Sequence, residues 1–316
     1  MKEPYREVEI SAIVPVGKRQ ADPVSLFHEY RDALASTGQS FEIVFVLDGP
    51  HPGFYSGLRS LLDAGEQFTV VGLSRTFGES TALMAGLEHS SGRVILTLPA
   101  YHQVDITDIQ RLLCNLGNSD MVIARRWPRR GNVLDRARRA TFHALVSSVT
   151  GVRFRDLGCG VRCFDRDVLA DLHLYGEQHR FLPLLANRLG FRVSEVNVGQ
   201  SLKDQFAGGY GVRDYLRSLL DLFSIFFITR FTKRPLRFFG TTGVATSSIG
   251  GAIICWLVFE RIVYNVGLAD RPALLLSSLL VVLGLQLLAL GLLGELIIYT
   301  HAAENRDYQI ERIIRH

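Results

Sequence analysis

The chain has 316 residues, with 35 lysines and arginines against 31 aspartates and glutamates, a net charge of +4, and 47% apolar residues. That composition excludes a disordered chain, a collagen-like chain and a disulfide-stapled miniprotein. The average hides an asymmetry, because charge is spread through residues 1–235 and then nearly vanishes.

The first part alternates strand and helix signals. Ile10–Val16 (ISAIVPV) reads as a strand and Val24–Ala35 as a helix; Phe41–Leu47 (FEIVFVL) is a second apolar strand, ended by Asp48-Gly49-Pro50. A helix over Phe54–Leu62, a strand over Phe68–Leu73, a helix over Gly78–His89 and a strand over Arg93–Leu98 follow. Asp105–Leu116 is expected to be helical, and Asp120–Ala124 and Phe191–Val198 to be strands. Such alternation, with strands apolar throughout, predicts an α/β fold, a mainly parallel sheet with helices on both faces. Ligands of open sheets collect beyond the carboxyl ends of the strands. Pro15–Lys18, Asp48–Pro50 and Pro99–Gln103 fall there.

Seven arginines stand in the fifteen residues from Arg125 to Arg139. They fit either a solvated basic surface or a face for phosphates. Tethering to a membrane argues against nucleic acid as the partner. Val212–Arg230 reads as an amphipathic helix, lying in the membrane interface or else packed in the core. Phe238–Phe259 runs for twenty-two residues without a charge, and Ala273–Tyr299 carries only Glu295. A membrane-crossing helix needs about 20 apolar residues, so both segments qualify as spans, the alternative being two buried core helices.

Arg230, Lys233, Arg234 and Arg237 precede the first span, and Arg306, Arg312 and Arg315 follow the second. By the positive-inside rule both flanks are expected in the cytoplasm. The expected organisation is a cytoplasmic domain over 1–211, an interfacial helix over 212–235, a transmembrane hairpin over 236–300 and a cytoplasmic tail over 301–316. The MKEPYREVEI start lacks an apolar signal region. Glu295 is expected to pair with a basic residue before the first span. Gly240, Gly243, Gly250 and Gly251 suggest packing against further copies, a homo-oligomer. Cys114, Cys159, Cys163 and Cys255 lack the second ligand pair of a zinc site and are expected to be reduced.

Several segments, in order, resemble glycosyltransferase family 2, in particular its polyisoprenyl-phosphate sugar transferases of the dolichol-phosphate mannose synthase type. Ser11–Val16 resembles the opening strand that ends in Val-Pro, and Phe45–Pro50 (FVLDGP) the family's Val-Asp-Asp-Gly-Ser. Leu73–Gly92 resembles its Arg-Asn-Phe-Gly helix, Asp156–Leu169 (DLGCGVRCFDRDVL) its Asp-Leu-Thr-Gly-Ser-Phe-Arg segment, and Arg180–Val198 its Arg-Phe-Leu helix and strand. Phe231–Gly243 resembles the entry into the membrane.

The resemblance implies a GT-A fold that takes a sugar from a nucleotide sugar to the phosphate of a polyprenyl lipid in the inner or plasma membrane. It implies that Pro15 and Val16 line the nucleotide slot, with Asp48, Gly49, Tyr101 and Gln103 completing the donor site. Arg125, Arg126 and Lys203 would hold phosphates, and Asp156 and Arg162 would act beside the acceptor; a turn or helix cap is the alternative for Asp156. Mg2+ or Mn2+ is usual in the family, held by an Asp-x-Asp pair after the fourth strand. Here Pro99 and Tyr101 stand at those places, so no metal site is assigned, and His102 with Asp105 is the nearest alternative ligand set. Leu47 and Thr76 replace further family residues, and Gly160 stands where bacterial relatives carry an Asp. Two functions follow: a glycosyltransferase that is metal-independent or unusually metallated, or a catalytically inactive membrane subunit that kept the fold.

Overall fold

The computed structural model describes residues 8–128, 151–170, 178–204, 235–264 and 271–301, with positions 140, 143, 144, 146, 147 and 267. The expected interfacial helix, the tail and Arg129–Arg139 lie outside the described residues. The chain divides into two compact units, one reaching Tyr210 and the next beginning at Gly211.

In the first unit the chain runs β1 (Ile10–Val16), α1 (Pro23–Ala35), β2 (Phe41–Leu47), α2 (Pro52–Asp63), β3 (Thr69–Gly72), α3 (Glu79–Glu88) and β4 (Val94–Thr97). After these come α4 (Ile109–Leu116), β5 (Met121–Arg126), β6 (Arg162–Asp165), α5 (Arg166–Ala170), α6 (Leu182–Leu189) and β7 (Val193–Val198). The seven strands form one sheet in the order β3-β2-β1-β4-β6-β5-β7. Every residue of β1 is buried, as a strand covered on both faces requires. Ile10, Ala12, Val14 and Val16 join the core shared with Leu26, Phe27 and Leu34 of α1, Leu58 of α2 and Leu112 of α4. On the opposite face, Gly86 lets α3 approach β1 closely: a Cβ there would meet Ile13 Cγ2 at 2.4 Å.

Local chemistry starts the helices where the fold needs them. Asp22 caps α1 by accepting from Ser25 N at 2.8 Å, and Pro23 supplies the first helical φ. β1 pairs in parallel with β2 and β4, so the loops that leave β1 and β4 lie side by side, tied by Ala21 N donating to Ala100 O at 2.8 Å.

The sheet is mainly parallel, with one strand that the sequence pattern does not reveal. β6 runs antiparallel between β4 and β5, with Arg162 opposite Thr97 and Ile123. Its reversed sense brings Arg162, its first residue, to the carboxyl ends of the parallel strands. All four cysteines are free, Cys159 and Cys163 being buried.

The second unit holds two long helices, α7 (Pro235–Tyr264) and α8 (Pro272–His301). Both are long and apolar enough to cross a membrane, with mean hydropathies of 1.6 and 2.5 in their most apolar windows. They pack against each other through small residues. A Cβ at Gly243 would meet Gly284 O at 2.6 Å, and one at Gly250 would meet Ser277 O at 2.7 Å. These two glycines therefore serve the contact within the hairpin, whereas a Cβ at Gly251 would meet nothing within 4 Å. Glu260 of α7 and Arg271, just ahead of α8, form an ion pair at 2.5 Å. Glu295 is exposed on α8.

Candidate active site

The residues expected to bind a donor lie at the end of β1, where Pro15 and Val16 are buried strand residues, and on the loops that follow β2 and β4. Asp48 N donates to Val16 O at 3.0 Å, joining the ends of β1 and β2. The Asp48 carboxylate is buried and already engaged. It accepts from Phe77 N at 2.7 Å and from Gly78 N at 3.0 Å, and so ties the turn that leads into α3 to the end of β2. Gly49 follows with φ +94°, and a Cβ there would lie 2.8 Å from Thr76 Oγ1. Only glycine fits both the conformation and the space.

After β4 the chain bends through Pro99–Gln103. The Tyr30 hydroxyl donates to Pro99 O at 2.6 Å from within the core. Tyr101 presents its ring to Arg19, whose guanidinium carbon lies 3.8 Å from the ring centre. Burial pushes the Tyr101 phenol up, and the Arg19 charge offsets this only in part. Gln103 is buried and ties two segments together. Its amide nitrogen donates to Tyr101 Oη at 3.0 Å and to Gly158 O at 3.4 Å, and its amide oxygen accepts from Gly160 N at 2.8 Å.

Arg126, at the end of β5, and Asp156 form a buried, two-pronged pair. Nε and Nη2 of the arginine reach the two carboxylate oxygens at 2.8 Å each, and Arg126 N adds a third bond at 3.2 Å. Burial alone would lower the Arg126 guanidinium; the Asp156 carboxylate more than reverses that and raises it. Asp156, expected beside the acceptor, thus holds an expected phosphate ligand. Arg162 is buried, which lowers its guanidinium, and it donates to Leu157 O at 3.3 Å and to His179 O.

His179 lies against Glu79 at the start of α3, with Nε2 3.2 Å from Oε2. The Glu79 side chain is 44% exposed, and the partial desolvation of its head, which would raise the carboxyl, is outweighed by His179 with the charges of Arg162 and Arg180, which hold the acid below the ordinary glutamate range. Arg126 and Arg162 thus form a buried floor, in which the Asp156 carboxylate compensates Arg126 and backbone carbonyls hold Arg162.

Two further expected residues sit at its edge. Arg125 lies 4.9 Å from the exposed Trp127 ring, and Lys203 pairs with Glu29. Glu29 also receives His102 Nδ1 at 2.9 Å. Asp204 accepts from Arg19 at 2.5 Å and from Gln200 Nε2 at 2.8 Å.

The divalent cation implied by the family resemblance does not fit these residues. Pro99 offers no side-chain donor, and Tyr101 carries a neutral phenol where a hard cation wants carboxylate oxygens. His102 is turned to Glu29, and Asp105 accepts from Thr107 N at 3.2 Å and Thr107 Oγ1 at 2.8 Å as the cap of a short turn. Among the described residues no three His, Cys, Asp or Glu converge on a metal position.

Arg19, Glu79, His179 and Asp204 were not singled out by the sequence. Arg19 carried a weak signal, as a cation just beyond the end of β1. The others are isolated polar residues whose neighbours lie far away in the chain.

The family model described as glycosyl transferase family 2 matches residues 12–171. Dodecaprenyl-phosphate galacturonate synthase of Rhizobium johnstonii is 26% identical over 305 residues, covering 95% of this chain and 90% of its own. Undecaprenyl-phosphate 4-deoxy-4-formamido-L-arabinose transferase of Aeromonas hydrophila is 28% identical over 311 residues, covering 97% and 94%. Among solved structures, glucosyl-3-phosphoglycerate synthase from Mycobacterium tuberculosis, in complex with phosphoglyceric acid, superposes with a TM-score of 0.52 at 16% identity, covering 70% of this chain and 80% of its own. Mannosyl-3-phosphoglycerate synthase from Rubrobacter xylanophilus gives 0.53 at 14% identity, covering 68% and 72%. At these identities the structural likeness speaks for the fold, a GT-A-like α/β unit.

Proposed function

Because the chain belongs to glycosyltransferase family 2, we propose that it is a polyprenyl-phosphate glycosyltransferase that takes its sugar from a nucleotide sugar. The observation that carries this reading is the extent of the likeness to curated relatives named as lipid-phosphate sugar transferases. It continues past the family model, through both long apolar helices.

In the proposed reaction an oxygen of the lipid phosphate attacks the anomeric carbon. A new C–O bond forms as the bond from that carbon to the donor's diphosphate breaks, and the electron pair leaves with the nucleoside diphosphate. A phosphate acceptor is already anionic and needs no strong base. What lowers the barrier is positive charge placed beforehand where the leaving group gains its negative charge. Arg162 and Arg126 supply it at the floor, Arg125 and Lys203 at the edge. Pro15, Val16, Asp48 and Gly49 border the nucleotide slot, Asp48 by fixing its wall, and Tyr101 and Gln103 form the side next to the diphosphate. Asp156 is a positioning residue for Arg126.

The domain plan belongs to this proposal: a cytoplasmic transferase over 1–211, an interfacial helix over 212–235 and a transmembrane hairpin over 236–300, in the inner or plasma membrane. The test is transfer of labelled sugar from a panel of nucleotide sugars to undecaprenyl phosphate in detergent micelles by the full chain. A labelled lipid is expected from at least one donor. Failure with every donor, by protein that melts cooperatively, overturns the reading.

A further inference from the structure

Glycosyl transfer from a diphosphate requires a cation beside that diphosphate, and the places after β4 where carboxylates would hold a metal are filled by Pro99 and Tyr101. The same corner holds a guanidinium. Arg19 lies on the Tyr101 ring at 3.8 Å. Its loop is pinned to the Tyr101 loop by the Ala21–Ala100 hydrogen bond. Asp204, with a side chain only 1% exposed, anchors the guanidinium from a third segment, while Arg19 itself stays 37% exposed. A planar cation stacked on an aromatic face is oriented before any ligand arrives, and its forked N–H donors match phosphate oxygens.

We propose that Arg19, stacked on Tyr101 and anchored by Asp204, takes the place of the divalent cation in neutralising the donor's diphosphate, so that this chain binds and uses its donor without metal. Arg19 sits just past the Pro15–Val16 strand end. Tyr101 serves as a platform, held by Gln103 through its hydroxyl, and the positive charge comes from the loop of β1. This inference rests on the transferase reading above and specifies its charge chemistry.

The experiment is isothermal titration of the full chain in detergent with UDP, GDP, ADP and CDP, in EDTA and again with excess Mg2+ or Mn2+. At least one nucleoside diphosphate is expected to bind in EDTA, with metal changing its Kd by less than about twofold. Arg19→Ala is expected to weaken that diphosphate about tenfold, about 1.4 kcal/mol, while the matching nucleoside loses less than about twofold. Arg19→Lys, which keeps the charge but not the planar fork, is expected to fall between the two. Binding that appears only with metal overturns the inference and leaves the transferase standing. Equal losses for nucleoside and diphosphate would make Arg19 a loop tie and also overturn it. Absence of binding to all four in either condition sinks both readings.

Discussion

Asp156 and Arg126 act as one unit, which changes what a substitution at either residue means. Removing one partner strands a buried charge, so Asp156→Ala and Arg126→Ala are each expected to cost about 3–5 kcal/mol in chemical denaturation. The double variant should cost clearly less than their sum, a coupling read directly from the double-mutant cycle. An inactive Asp156 variant would therefore report on Arg126 as much as on the carboxylate. The acid at Glu79 makes a separate prediction. Its folded-state carboxyl is held low, so its contribution to stability is present above the unfolded glutamate value of about 4.3 and is lost as pH falls through the depressed folded value. Glu79→Gln should accordingly lower the melting temperature near neutrality, and the gap from the parent should close in the acid limb of a pH series. A gap that stays constant with pH would refute the assignment.

Among the elements, the strands buried on both faces were the legible ones. β1, β2 and β4 read as mainly apolar runs, broken only by Ser11, Glu42 and Thr97, because helices cover both sides of the sheet there. β6 was not legible: its four residues, Arg-Cys-Phe-Asp, have a charge at each end and only two apolar positions between. Yet this strand delivers Arg162 to the site. The family resemblance pointed to Asp156 and Arg162, but not to the partners that hold them, because Arg126 at the end of β5 meets Asp156 in the irregular segment before β6, thirty residues on. Asp48 is a similar case. It was expected in the donor site, and its carboxylate is found bonded to Phe77 N and Gly78 N just ahead of α3, so Asp48→Ala should destabilise the chain by about 1.5–3 kcal/mol, as loss of hydrogen bonds to a charged group does. Asp48→Asn, which keeps an acceptor oxygen, should recover most of that in the same melts.

At the scale of the whole molecule, the composition break near residue 235 was the clearest signal, since two long apolar runs need no alignment to be seen. What composition could not show was how the two helices use their small residues. A Cβ on Gly284 would come within 2.6 Å of both Gly243 O and Ser247 N. Gly284→Val should therefore force α7 and α8 apart, with a cost of about 1–3 kcal/mol read from thermal unfolding in detergent. Gly251→Val, at a position with open space around it, is the matched control and should change little.

Gln103 has a consequence for the timing of order in this protein. With one amide holding Tyr101, Gly158 and Gly160 together, the loop after β4 and the segment before β6 behave as a single splint, set when the chain folds. A donor that docks against this wall meets a surface whose entropy has already been spent, and backbone amides along both segments should exchange slowly with deuterium even in the free protein.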